Sequence, residues 1–224
     1  MLRIVKRAVK RLLSLDAHQQ YALIEEIRSG LLSQASMVLH IGAHKGTEVS
    51  LYGDLGLSVV WIEGNPELFP ELCENLRLFP NQIAICSLLG GVDLDKVDFH
   101  IANNDGQSSS IFNFGSQMNH KDLVMSRTIE LPMRRLDSVL QDEQVPKGSH
   151  WVIDVQGAEL EVIRGAGDLI RNAYSLEVEV STKDEYSGGA KFEEVNTTLN
   201  SLGLFPLWKP KANSHEDIFF MRRF

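Results

Sequence analysis

The sequence predicts an α/β domain built on a parallel β-sheet with helices on both faces, and three observations carry that expectation. From residue 36 onward, short apolar runs of strand length alternate with segments of helical periodicity, as strands joined by crossover helices do. With 224 residues, 43% of them hydrophobic and 23% charged, the chain has the composition of one generous globular core and not of a disordered or collagen-like chain. A glycine-bearing turn follows the first apolar run and an acidic residue ends the second, the arrangement of nucleotide-binding sheets.

Residues 1–32 read as helix, because Leu2, Val5, Val9 and Leu12 recur at helical spacing with Arg3, Lys6, Arg7, Lys10 and Arg11 between them. Residues 1–35 are therefore expected to form a basic amphipathic extension, and residues 36–224 the main domain. Such a helix either packs its stripe on the domain or meets an anionic membrane surface or a partner protein through residues 1–32. The first eleven residues hold five cations and no anion, so the remainder, with 17 cations against 30 anions, carries −13 of the net −8. A body so acidic is unsuited to nucleic acid, whose phosphates require a basic face. No apolar stretch approaches the ~18 residues of a membrane span and no signal-peptide core opens the chain, so a soluble, cytoplasmic protein is expected.

In order, MVLHIG (37–42) is the first strand and TEVSLYGDLG the helix after it. VVWIEG (59–64) is the second strand, Pro66 opens a helix through PELFPELCENLRLF, and QIAICS (82–87) is the third strand. Residues 88–130 read as a polar, irregular insertion with one extended piece, VDFHIA, and the loop NNDGQSSS. WVIDVQ (151–156) is the next strand, AELEVIRGAGDLIRN a helix, SLEVEV a strand, and KFEEVNTTLNSLG a helix closed by Gly203. LFPLW and DIFFMRR end the chain as an edge hairpin. Cys73 and Cys86 lack the spacing of a metal knuckle or redox pair and are expected as core thiols in a reducing compartment.

Several constellations carry chemistry. In His40-Ile-Gly42-Ala43-His44-Lys45-Gly46 the glycines admit close approach of a ligand, or serve only a tight strand-to-helix turn. A dinucleotide site wants a further glycine where His44 stands, which disfavours a pyrophosphate cofactor such as NAD. Glu63, twenty-one residues beyond Gly42, stands where a carboxylate takes ribose hydroxyls, the alternative being a cap on the Pro66 helix. Asp154, leaving an apolar strand ahead of Gln156, Gly157 and Glu159, can orient a hydroxyl, accept its proton, hold a metal or cap the next helix. Glu177 and Glu179 share one strand face, so unless that face is a solvated edge at least one must meet a cation or the ligand crevice. The run Asn103 to Ser110 has, by composition, the character of a turn.

Taken together, IGAHKG, IEGNPELFPELCENL, NDGQSSSIF, LDSVL, VIDVQGAELEVIRGA and LEVEVS with Tyr186-Ser-Gly-Gly resemble the FkbM-type family of S-adenosyl-L-methionine-dependent methyltransferases, from about residue 37 to the end. The resemblance implies the class I methyltransferase fold, a seven-stranded sheet with its last strand antiparallel, and methyl transfer to a hydroxyl of a carbohydrate, glycan or natural-product acceptor. It implies that Gly42, Ala43 and Gly46, with His40, line the methionine end of the cofactor. Glu63 would take the ribose, and Asn65 and Ser87 the adenine. Asn104, Ser108 and Ser109 would lie over the active site, with Gln156 and Glu159 beside the acceptor. Asp154 is the first candidate for the base, Glu179 the second and His44 a third, and no metal ligands are expected. His40 and His44 depart from the family pattern, in which Asp and Asn are common there. The other class of function is a non-catalytic domain that keeps the fold to bind a partner or membrane surface.

Overall fold

The computed structural model describes residues 16–118, 122–141 and 143–223. In chain order these form α1 (Ala17–Leu32), β1 (Val38–Ile41), α2 (Val49–Asp54), β2 (Val59–Glu63), α3 (Phe69–Leu76), β3 (Gln82–Cys86), β4 (Leu88–Leu89), β5 (Leu94–Ala102) and β6 (Met125–Arg134). There follow α4 (Leu136–Val139), β7 (Ser149–Ile153), α5 (Glu159–Gly165), a 3₁₀ turn (Gly167–Asn172), β8 (Ala173–Ser181), α6 (Phe192–Ser201), β9 (Leu204–Pro206) and β10 (His215–Arg222).

The main sheet has seven strands in the order β3-β2-β1-β7-β8-β10-β9, and β10 runs antiparallel to both of its neighbours. That is the class I methyltransferase arrangement. Its inner strands explain the apolar runs: β1 and β2 are buried along their whole length, so neither face permits polar alternation. The site lies at the shared C-terminal ends of β1, β2, β7 and β8.

Asp16 caps α1 by accepting the Gln19 N–H at 2.9 Å, and Ile27, Leu31 and Leu32 of this helix are buried in the core. The second half of the expected extension is thus built into the domain; the basic stripe from Leu2 to Leu12 lies outside the described residues. The expected helix from Pro66 begins only at Phe69, since the Asn65 side chain accepts the Glu67 N–H and forms a turn first. The single helix expected over residues 158–172 breaks after Gly165, where Gly167 takes φ +52°.

Two expectations are corrected. Residues 88–130 are not an irregular insertion: β4, β5 and β6 form a second sheet, ordered β4-β6-β5, whose inner face is Leu88, Phe99, Ile101 and Met133. The outer face of β5 and β6 is solvated, which dilutes the apolar signal. Cys73 and Cys86 are not core thiols; both are free and exposed. Cys73 follows the buried Leu72 by one helical step, which turns it outward, and Cys86 ends the sheet's edge strand.

Candidate active site

The strand ends enclose a cavity of about 460 Å³. His40, Gly42, Ala43, His44 and Glu63 line it from β1 and β2, and Asp154, Gln156 and Glu179 from β7 and β8. Ser87, Ser108 and Ser109 complete it from the side of the second sheet. Gly46, Asn65, Asn104 and Glu159 do not line this cavity and act behind its wall.

The turn after β1 is glycine for a reason internal to the chain. Gly42 has φ +86°, and a Cβ there would stand 1.6 Å from the Asp154 carbonyl oxygen, so the end of β7 can approach β1 only if this side chain is absent. Gly46, at φ +72°, likewise packs against Leu72 and Val49. His44 occupies left-handed backbone at φ +48°, a conformation in which Asn and His are enriched. Its ring Nε2–H donates to the Asp105 carbonyl at 2.9 Å, which engages His44 with the loop above the cavity instead of the carboxyls below. His40 is buried, stacks on Trp61 at 4.5 Å and hydrogen-bonds through Nδ1 to the Tyr52 hydroxyl; burial pushes its pKa down to about 4, so the ring is neutral.

Glu63 is buried at the end of β2. One carboxylate oxygen accepts the His44 N–H and the other the Asn65 N–H, each at 2.6 Å. Burial raises its pKa while these two bonds pull the other way. A carboxylate offers about four acceptor positions, so two remain for a ligand. Lys45 extends the same loop outward, pairing with Glu71 at 3.0 Å and Asp105 at 2.6 Å.

The opposite wall is a cluster of carboxyls. The Gln156 amide donates at 2.6 Å to Oδ1 of Asp154 and at 2.6 Å to Oε2 of Glu179, while its own oxygen accepts the Tyr186 hydroxyl at 2.5 Å. Burial, and next the adjacent Glu179, raise Asp154 well above the ordinary carboxylate range; burial pushes Glu179 up to about 8. The pair is thus one unit whose titration belongs to both acids together. Glu159 accepts the N–H groups of Val155 and Gly157 at 3.1 and 3.0 Å, and burial pushes it up to about 7. The capping role weighed for Asp154 is therefore filled by Glu159. Among the described residues, Asp154, Glu159 and Glu179 are a set whose oxygens lie within 4.8 Å of one another, close enough to hold a cation.

Glu177, the other acid on that strand face, is separated from the cavity and meets a cation. The Arg28 Nε–H contacts both Glu177 oxygens at 3.1 and 3.0 Å, and Glu25 joins them. Burial nevertheless leaves Glu177 near 7; for Arg28 burial acts against the charge, but the two carboxylates more than offset it.

Over the cavity lies the loop Asn103 to Ser110. Asn104 shapes it, accepting the Ser108 N–H at 3.2 Å and donating to the Ser108 hydroxyl at 3.0 Å, and the Ser109 hydroxyl accepts the Ala102 N–H. The loop is tied down where the Ser110 hydroxyl donates to the Gln156 carbonyl at 2.7 Å, and the Tyr186 hydroxyl, whose proton goes to Gln156, lies 3.3 Å from the Ser108 carbonyl. Tyr186, Glu185 and His215 also line the cavity and carried no role in the sequence reading. Tyr186 stood in a motif quoted above, whereas His215 opens β10 in a polar stretch that read as loop and gave no signal.

Sheet order, reversed strand and strand-end cavity define a class I methyltransferase, one that depends on S-adenosylmethionine. The chain belongs to the FkbM methyltransferase family: it matches the Methyltransferase FkbM domain over residues 40–204. No curated protein matches the sequence. Among solved structures it is similar to Aeropyrum pernix fibrillarin with bound S-adenosyl-L-methionine, at 15% identity and TM-score 0.47 over 85% of this chain and 68% of that one. It is also similar to magnesium protoporphyrin IX methyltransferase from Synechocystis with bound SAH, at 9% identity and TM-score 0.49 over 93% and 89%. A methyltransferase from Aquifex aeolicus matches at 13% identity and TM-score 0.45 over 88% of each chain.

The residues present suit the cofactor. The two spare acceptor positions on Glu63 match a ribose diol, and the facing carboxyls Asp154 and Glu179 are acceptors of the kind a cationic sulfonium requires nearby.

Proposed function

We propose that the protein transfers a methyl group to a hydroxyl of a carbohydrate, glycan or other polyhydroxylated natural product, and that it does so in the cytoplasm. The observation that carries this reading is the Asp154–Glu179 pair, held by Gln156 at the cavity wall with its proton affinity raised toward neutrality. An alcohol gives up its proton late in methyl transfer, and a base serves best when its pKa lies near the working pH.

When bound, S-adenosylmethionine supplies an electrophilic methyl group. The chain's own task is to hold the acceptor oxygen in line and to remove its proton. Sequence reasoning put Asp154 first as base and Glu179 second. Burial raises both acids and the Gln156 amide holds them side by side, so the pair serves as one base. The hydroxyls of Ser108 and Ser109 both donate and accept, which suits a polyhydroxylated acceptor.

Incubation with methyl-labelled cofactor and a panel of sugars, glycosides and polyhydroxylated metabolites tests the reading. An O-methyl product is expected, and Asp154→Asn, which removes the shared proton site while keeping the shape, should lower turnover by about 10²- to 10⁴-fold with cofactor affinity unchanged. A product methylated on nitrogen or carbon, or an Asp154→Asn enzyme of full activity, would overturn it.

A further inference from the structure

Asp154, Glu159 and Glu179 come from three places in the chain, the residue after β7, the start of α5 and the end of β8, yet one oxygen of each lies within 4.8 Å of the others. The chain holds them there firmly and leaves acceptor capacity over. One oxygen of Glu159 takes both the Val155 and the Gly157 N–H, and the Gln156 amide, itself fixed by the Tyr186 hydroxyl, takes one oxygen each of Asp154 and Glu179. Three carboxyls so placed repel one another unless protons or a cation stand between them. Among the described residues, the one basic group within ion-pair distance of any of the three is the His215 ring, with Nε2 3.0 Å from Oε2 of Glu179. A fourth acid faces the same place. Glu185 is only 5% exposed, and with Glu159, Glu179 and His215 it lines a second, small cavity of about 10 Å³, room for one occupant the size of a water or an ion. One Glu185 oxygen meets the Lys183 ammonium at 3.0 Å, but Oε2 accepts no hydrogen bond: Nδ1 of His215 is 2.7 Å away without being aligned to donate. A buried carboxylate oxygen without a donor is costly, and a cation in this cavity removes the cost.

We infer that Asp154, Glu159 and Glu179 form a binding site for one divalent, oxygen-preferring cation, with the unpartnered edge of Glu185 adding negative charge beside it. The spacing fits such an ion, because Mg²⁺ and Ca²⁺ bind carboxylate oxygens at about 2.0 to 2.6 Å and ligands that share one ion therefore stand no more than about 5 Å apart. The donor set fits as well: carboxylates suit Mg²⁺, Mn²⁺ and Ca²⁺, whereas softer metals favour thiolate or imidazole. The sulfonium of the methyl donor does not fill this demand, since it carries one positive charge and has no coordination positions to draw three carboxylates onto itself. Asp154 and Glu179 also line the main cavity, so the ion presents its remaining coordination positions to the ligand held there.

The probe is Mn²⁺ alone, added to the full chain without cofactor or acceptor and followed by electron paramagnetic resonance of the free ion and by calorimetry. One Mn²⁺ per chain should bind with a dissociation constant below about 1 mM, and Mg²⁺ or Ca²⁺ should displace it. Glu159→Gln, whose amide oxygen can still accept the two N–H groups, and Asp154→Asn should each weaken binding by about tenfold or more. Glu161→Gln on the same helix, whose carboxylate pairs with Arg164 outside the cluster, should leave it unchanged. Thermal unfolding gives a second readout: added Mn²⁺ should raise Tm in the wild type and not in Glu159→Gln. Near-ultraviolet circular dichroism checks that each variant is folded, and Glu179→Gln takes the place of one that is not. No saturable binding at millimolar Mn²⁺, or binding that the substitutions in the cluster leave as it was, overturns the inference. Because the ion is titrated without cofactor or acceptor, the site stands or falls apart from the hydroxyl-methylation reading.

Discussion

Lowering the pH from 8 to 6.5 should make the ligand-free protein more stable. Glu159 and Glu177 are pushed up to about 7 by burial and Glu179 to about 8, whereas each would ionise near 4.5 in the unfolded chain. The folded state therefore binds more protons than the unfolded state between those values, and stability falls as pH rises through them. Over that step the three carboxyls together regain on the order of 3 kcal/mol. For a domain of this size each kcal/mol moves Tm by about 2 to 4 °C, so Tm should rise by about 6 to 12 °C. Asp154, Glu63 and Asp217 are raised by burial as well and act in the same direction. Below about pH 6.5 the gain should flatten, because burial lowers His40 to about 4 and His150 to about 3 and their neutral rings stabilise the fold only above the unfolded histidine value of 6.5. Calorimetry and urea unfolding across pH 5 to 8.5 read this directly. Stability that is flat or increasing from pH 6.5 to 8 would refute the reasoning.

Glu63→Ala should raise the dissociation constant for S-adenosylmethionine at least tenfold in calorimetric titration, since two ligand bonds of about 1.5 kcal/mol each are lost, and should also lower Tm because His44 and Asn65 lose their acceptor. Arg28→Met leaves Glu177 buried without its cation and should cost about 3 to 5 kcal/mol at pH 8 in denaturant unfolding; adding Glu177→Met should recover most of it. Gly42→Ala should fail to give a native fold by near-ultraviolet circular dichroism, because the new methyl would collide with the Asp154 carbonyl, while Gly56→Ala, with nothing within 4 Å, should stay folded at a modest cost from its φ of +66°.

The parts of this protein that were legible in its sequence are those whose physics is local. Strands buried on both faces must be apolar throughout, so β1, β2 and β7 announce themselves; β5 and β6 expose one face, and β6 even carries Pro132, so only the six residues at the end of β5 stood out. Two acids at i and i+2 must share a face, which made the demand for a cation or a crevice readable at Glu177 and Glu179 before either partner was known. The partners themselves were not readable. Arg28 reaches Glu177 across 149 residues, and His215 reaches Glu179 only because β10 inserts between β8 and β9. The glycine turn shows the limit from the other side: Gly42 was recognised as a point of close backbone approach, but what approaches is the chain's own Asp154.

The unequal treatment of the two acids on β8 is the strongest physical indication of which part of the molecule does chemistry. Glu177 and Glu179 begin with the same problem, a carboxylate taken out of water from one strand face. At Glu177 the fold solves it with a guanidinium gripping both oxygens, the arrangement that serves when only burial has to be offset. At Glu179, one turn of the pleat closer to the cavity, no guanidinium is supplied among the described residues; a neutral amide, a second carboxyl and an imidazole stand there instead. Those neighbours compensate the charge less completely and leave the proton free to move. A fold selected for stability alone would treat both residues alike, whereas the proton transfer proposed above requires the weaker compensation, and on β8 it is found at the acid that lines the cavity.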